Sequence, residues 1–299
     1  MAELLRIDSE KFGLVLSGGG ARGAYQIGVW KAMHELGLDR RVKAVAGTSV
    51  GAINTALFLQ GDVDRAVEAW LSVHPEQVLP LDPRAQLRRV LRRFGLGAHG
   101  WVQELARIGL FTRHGLNELI DKYIDLDRVS KSRIPAWVTC RRVPPAFGGR
   151  PPWLSPPGDD IEYLQLNYEP PERIRAFLLA SSAIPLVFGA QLIDGVEYVD
   201  GGVGLPADHT PVTPVYEYGC ETIIIVYTER RQKLDLSRFP GARFIEVLPS
   251  RSLGGVRGTF DFSPAGIRSR MQSSWQPGTV GYRMQLGYAD ARRVFGAAG

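Results

Sequence analysis

Two short β-branched apolar segments, each breaking off at a glycine cluster that opens a helix, constrain this chain more than any other feature. Residues 12–16 read as a buried strand that stops at Ser17-Gly18-Gly19-Gly20. Residues 22–36 follow as a helix, with Val29, Ala32, Met33 and Leu36 on one stripe and Gly37 as its stop. Residues 42–46 form a second strand, which runs into the turn Gly47-Thr48-Ser49-Val50-Gly51 and a helix to about residue 60. Strand, helix, strand, helix in this order requires a parallel sheet flanked by helices. The expected class is therefore α/β: three layers, α/β/α, around a central, mostly parallel sheet.

The remaining chain continues that pattern. A helix is expected over 64–73, with Asp62 or Asp64 as its N-cap. Residues 80–115 are rich in Arg and Gly and read as an inserted covering segment. Leu116, Leu119, Ile120 and Tyr123 mark an amphipathic helix. Strands are expected at 136–140, 161–166, 197–199, 222–227 and 243–247, with a helix at 171–180. Between 143 and 160, six prolines and three glycines break the chain into a loop. Two C-terminal helices follow, the first opened by Ser263-Pro264.

With 299 residues, 44% of them hydrophobic, the chain can bury a core without disulfides or metal. Its two cysteines, Cys140 and Cys220, stand far apart with no clustered His, which argues against a structural zinc site and for a reducing compartment. Residues 1–9 carry Glu3, Arg6 and Asp8 without a long apolar run, so no secretory signal is expected. No apolar stretch reaches the roughly 20 residues that cross a bilayer. A cytoplasmic protein is expected, with peripheral membrane contact allowed by its net charge of +5.

The turn at 47–51 has the form G-x-S-x-G. Between a β-branched strand and a helix, that turn lifts a serine hydroxyl above the sheet, and the helix dipole favours negative charge on it. The same pentapeptide is also an ordinary glycine-bounded turn; only its context makes Ser49 a candidate nucleophile, with Gly47 and Gly51 supporting it. Gly18-Gly19-Gly20-Ala21-Arg22-Gly23 has two readings. As G-x-G-x-x-G it fits a dinucleotide loop, but that reading needs an acid at the end of the second strand, where Ala46-Gly47-Thr48 stands. The preferred reading is a nest of amides for an oxyanion, built from Gly18, Gly19 and Gly20 with Arg22 as a fixed charge and Gly23 in support.

A serine nucleophile needs a proton acceptor. His34, His74, His99 and His114 read as solvated or locally bonded surface residues, and His209 stands in an irregular Pro-rich loop. Asp200 ends a short strand and precedes Gly201-Gly202. Alone, Asp-Gly-Gly is a common turn.

In company it says more. Gly18 to Gly23, Gly47 to Gly51, Asp200 to Gly202 and the run Ala180-Ser181-Ser182-Ala183-Ile184-Pro185-Leu186-Val187-Phe188 resemble, in order and spacing, the patatin-like phospholipase family. The resemblance spans about residues 12–216, the expected acyl hydrolase core; residues 217–299 are expected to complete or extend the same domain. The segment with Phe262-Ser263-Pro264 and Gly281-Tyr282 is similar to extensions on bacterial members. What the resemblance implies is a Ser49–Asp200 dyad without histidine, cleaving fatty-acyl esters of lipids or phospholipids with no cofactor and no metal. An esterase or thioesterase on non-lipid substrates is the alternative within that class. One departure stands out: the family's Asn-x-Pro after Asp-Gly-Gly is replaced here by a longer Val203 to Pro211.

In the covering segment, Leu87, Val90, Leu91 and Phe94 recur at helical spacing among Arg84, Arg88, Arg89, Arg92 and Arg93. Such a helix suits an anionic membrane surface, or simply covers the core with a solvated face. Aromatic residues are not interleaved with its arginines, so no nucleic acid partner is expected.

Overall fold

The computed structural model describes residues 11–72, 114–143, 160–184, 188–203, 207–230, 234–254 and 277–296. The arginine-rich segment 83–97, His74, His99 and the expected helix from Ser263 lie outside them.

Among the described residues, eight strands form one sheet. They are β1 (Phe12–Leu16), β2 (Val42–Thr48), β3 (Ala136–Arg142), β4 (Ile161–Gln165), β5 (Gln191–Ile193), β6 (Val196–Asp200), β7 (Thr222–Val226) and β8 (Arg243–Val247). Their order is β5-β6-β3-β2-β1-β7-β8, with β4 on β3. The run from β3 to β8 is parallel, as expected from the alternation of strands and helices. At the other end, β4, β5 and β6 join antiparallel, which the alternation did not foretell. The β5–β6 hairpin turns through Asp194-Gly195, both at positive φ, a two-residue turn chemistry overlooked in the sequence.

Helices α1 (Ala24–Glu35), α2 (Val50–Leu59), α3 (Val63–Ser72), α4 (His114–Tyr123), α5 (Leu126–Ser130), α6 (Pro171–Ser181), α7 (Val212–Glu217) and α8 (Pro277–Gly296) cover the sheet. Successive strand residues divide between its faces. Leu14, Leu16, Val45, Ile224 and Val226 join α1, α2, α3, α6 and α8 in the larger core. Val15, Ala44, Ala46, Ile223 and Ile225 join Val212 and Val215 of α7 in the smaller one. With both faces covered, these strands carry apolar residues continuously rather than alternately.

Asp62 accepts the Arg65 N–H and so caps α3. The single apolar stripe expected on α1 proves too narrow, because α1 is buried nearly all round. Its outer face is taken by α8, and a Cβ on Gly28 would stand 1.9 Å from Met284 O. Gly287 makes the reciprocal approach to Tyr25 O, so the two backbones meet where neither helix can carry a side chain. Tyr25 OH then donates to Asp290 at 3.1 Å. The short helix α7 follows Pro211, with Pro214 in its first turn where its missing N–H costs nothing.

Strand β3 decides where the functional ends meet. Residues 137–139 pair with both β2 and β4, and Cys140 and Arg141 pair with both β4 and β6. Since a strand has two edges, β2 and β6 lie end to end along the same edge of β3. Thr48 faces Thr139, and Asp200 faces the next residue, Cys140. Because β2 is parallel to β3 and β6 antiparallel, their C-terminal ends point at one another.

Candidate active site

Ser49 follows directly on the end of β2, and its backbone has φ 58° and ψ −123°. A non-glycine residue seldom takes that conformation, and it is a strained one. The strain is imposed by crowding: a Cβ on Gly47 would lie 2.2 Å from Gly51 O, and one on Gly51 2.1 Å from Leu16 O. Strand and helix therefore pass with no room for side chains, and Ser49 is thrust out at the N-terminus of α2. Its hydroxyl does not cap the helix. It lies by the Asp200 carboxyl instead and helps hold that carboxyl's pKa down.

Asp200 is only 2% exposed. Its Oδ1 accepts the Gly202 N–H at 2.8 Å, so the Asp-Gly-Gly turn folds back on its own acid. Burial pushes the carboxyl up to about 7, against the hydrogen bonds from Ser49 and Gly202 that hold it down. A Cβ on Gly201 would stand 2.6 Å from Thr139 Cγ2, so this turn lies flat on β3.

The end of α6 grips both residues. Ser181 Oγ accepts the Ser49 N–H at 3.0 Å and donates to Thr139 O at 2.8 Å. Two residues later, Ala183 O accepts the Asp200 N–H at 3.0 Å.

The glycine loop lies alongside: a Cβ on Gly18 would be 3.5 Å from Ser49 Cβ. Its amides are not equivalent. Gly18 N–H donates to His209 O at 2.8 Å, so the expectation that Gly18 offers a free donor needs correction. Gly20 begins a 3-10 turn that ends at Gly23. Arg22 N–H and Nε both donate to Gly19 O, at 3.2 and 3.1 Å. Arg22 also pairs with Glu229 at 2.5 Å, so its charge is partly neutralised. A trans peptide opposes its C=O and N–H, so the Gly20 N–H points away from Arg22.

A buried polar chain holds both ends of this loop. Trp70 Nε1 donates to Asn54 Oδ1, Asn54 Nδ2 to Gln26 Oε1 and Gly23 O, and Gln26 Nε2 to Ser17 O. Ser17 Oγ accepts the Thr228 N–H, and the Thr228 hydroxyl donates to Gly18 O. Sequence reading missed Gln26, Asn54, Trp70 and Thr228, because polar residues inside helices and strand ends carry no local signal of a shared network. His209 stands in an irregular loop, as expected, and that loop passes the site. A Cβ on Gly202 would stand 2.9 Å from His209 Nδ1, and one on Gly18 3.7 Å, so the imidazole edges the site. Asp208 docks that segment, accepting from Tyr163 OH at 2.6 Å while its own N–H donates to Gly201 O. His34, by contrast, is bonded locally to Asp39, as expected of a surface histidine.

Among the described residues no cluster of His, Cys, Asp and Glu could hold a metal ion, and no helix is long and apolar enough to cross a membrane.

Comparison with known proteins gives this arrangement a lineage. Lysophospholipase nte1 of Aspergillus terreus is 49% identical over 53 residues, which are 18% of this chain and 3% of that protein. A patatin-like phospholipase domain-containing protein of Caenorhabditis elegans is 46% identical over 56 residues, 19% of this chain and 4% of the other. The chain thus spans only a small part of the length of the curated relatives it matches. Among solved structures, human GIVD cytosolic phospholipase A2 aligns with 97% of this chain and 58% of its own, at TM-score 0.45 and 12% identity. VipD from Legionella pneumophila aligns with 96% and 67%, at TM-score 0.43 and 13% identity. The family model described as patatin-like phospholipase matches residues 14–211, about two thirds of the chain and a span that contains Ser49, Asp200 and the glycine loop, and the chain belongs to that family.

Proposed function

We propose that the protein is a serine acyl hydrolase that cleaves fatty-acyl esters of lipids, phospholipids among them, through Ser49 and Asp200. One observation carries the reading: a strained serine at a strand-to-helix turn lies beside a buried carboxyl whose pKa, lowered in part by that serine, is near neutrality. A carboxylate of ordinary pKa is a weak base towards an alcohol; at about 7, Asp200 serves as base and then as acid at working pH.

Ser49 Oγ attacks the ester carbonyl carbon as its proton passes to Asp200. The carbonyl oxygen becomes an oxyanion, received by the Gly19 and Gly20 amides, while Gly18 holds the loop to His209. The intermediate collapses, the C–O bond to the leaving alcohol breaks, and Asp200 returns the proton to that alcohol. Water then attacks the acyl-serine, giving its proton to Asp200; collapse releases the fatty acid and restores the Ser49 hydroxyl. Family membership and the names of the relatives support a lipid ester as substrate. No step calls on a metal.

A fluorophosphonate probe tests the reading, together with assays on esters of graded chain length and on phospholipid vesicles. Label on Ser49 that disappears in Asp200→Asn is the expected result. Label elsewhere, or none, overturns the dyad; turnover confined to short soluble esters overturns the lipid substrate.

A further inference from the structure

Arg283 lies on α8, in the part of the chain beyond the family match at 14–211, yet it reaches the catalytic loop. It is 1% exposed. Its Nη1 donates to Ala21 O at 3.0 Å, Nε to Leu253 O at 2.6 Å and Nη2 to Gly254 O at 3.4 Å. Ala21 sits at the centre of the glycine loop, between the Gly19 and Gly20 amides and Arg22. The carbonyls of Gly19 and Ala21 are therefore each held by a guanidinium, one from Arg22 and one from Arg283. The close backbone crossing at Gly28 and Gly287 sets the height of α8, and with it the position of Arg283.

A cation this deeply buried is a poor way to gain stability, because a well-packed apolar side chain commonly does as well or better. Its usefulness lies in what it does to the loop. We propose that Arg283 is a positioning residue for the oxyanion loop. It fixes the Ala21 peptide so that the Gly19 and Gly20 amides stay aimed at one point, and it sets a second positive charge behind them. Burial and the nearby Arg22 charge lower its pKa to about 10, which leaves it charged at neutral pH. A charge fixed in a dry site costs no reorganisation as the oxyanion forms. The proposal rests on the acyl hydrolase reading above, and it makes the C-terminal helix part of the catalytic centre.

The test counts working sites before measuring rate. Wild type, Arg283→Lys, Arg283→Met and Tyr25→Phe are each titrated to completion with a fluorophosphonate, and hydrolysis of a soluble ester is expressed per labelled Ser49. Lysine keeps the charge but loses the fork that grips several carbonyls. Direct oxyanion donors are worth about 100- to 1,000-fold, so an indirect effect of about 10-fold on kcat is expected for Lys and about 100-fold for Met, with KM within about twofold. Tyr25→Phe cuts a buried bond of the same helix away from the loop; it should lower thermal stability and leave kcat per site unchanged. If Arg283→Met does not fold, Arg283→Lys decides alone. Unchanged kcat per labelled site in the Arg283 variants overturns the proposal, as does an equal loss in Tyr25→Phe. Wild type that takes no label at Ser49 removes the reading beneath it instead.

Discussion

Ser181 accepts the backbone N–H of Ser49 at 3.0 Å, so the main chain of the proposed nucleophile is anchored by a hydroxyl from α6, a helix that begins more than a hundred residues later. The same hydroxyl donates to Thr139 O and ties the turn to β3. With Ala183 O holding the Asp200 N–H, one stretch of three residues fixes the separation of the Ser49 and Asp200 backbones.

Ser181→Ala should orphan the Ser49 N–H and the Thr139 carbonyl in a dry site, at a cost of about 1–3 kcal/mol in stability. Released from its anchor, the strained turn should also lose turnover by about 10-fold, since small displacements at a reacting centre are costly. Thermal unfolding and the rate of fluorophosphonate labelling check the two effects separately.

Hydrolysis should rise with pH. The reactive form of Asp200 is the carboxylate, and burial holds its pKa up at about 7. Log kcat on a soluble ester should therefore climb with unit slope at acidic pH and level off above about 7. A plateau already reached at pH 5 would contradict the buried base.

Stability should run the opposite way. A carboxyl whose folded pKa exceeds its unfolded value binds more protons when folded, so stability is lost as pH rises from about 4 to about 7. Asp200→Asn removes that penalty. At pH 8 the variant should unfold a few degrees above wild type while turnover falls by at least about a thousandfold. Calorimetry and the ester assay, run at pH 8 and again at pH 4 where the gain in Tm should vanish, provide the check.

His209→Asn should retain activity within about threefold, with the pH limb near 7 still present. The imidazole edges the site, but the acid that interacts with Ser49 is Asp200. Disappearance of that limb in the variant would transfer the proton acceptor to His209.

The sequence by itself determined the parallel half of the sheet, from β-branched segments broken by glycine clusters, and it marked Ser49, Asp200 and the glycine loop. Those are local properties: a turn too tight for a side chain needs glycine wherever the rest of the protein lies. Gly51, with Leu16 O where its Cβ would be, is such a case. Tertiary structure alone decided which atoms the motifs present. It committed the Gly18 amide to His209 O, brought His209 to the edge of the site and set Ser181 and Arg283 behind the nucleophile and its loop. It also laid β2 and β6 end to end on β3, where a mixed edge replaces the parallel pairing that strand–helix alternation suggests. These partners are separated by tens to hundreds of residues, and a hydrogen bond between them leaves no periodicity or spacing to read. The raised pKa of Asp200 has the same origin, because desolvation belongs to the closed core and not to the residues beside it in the chain.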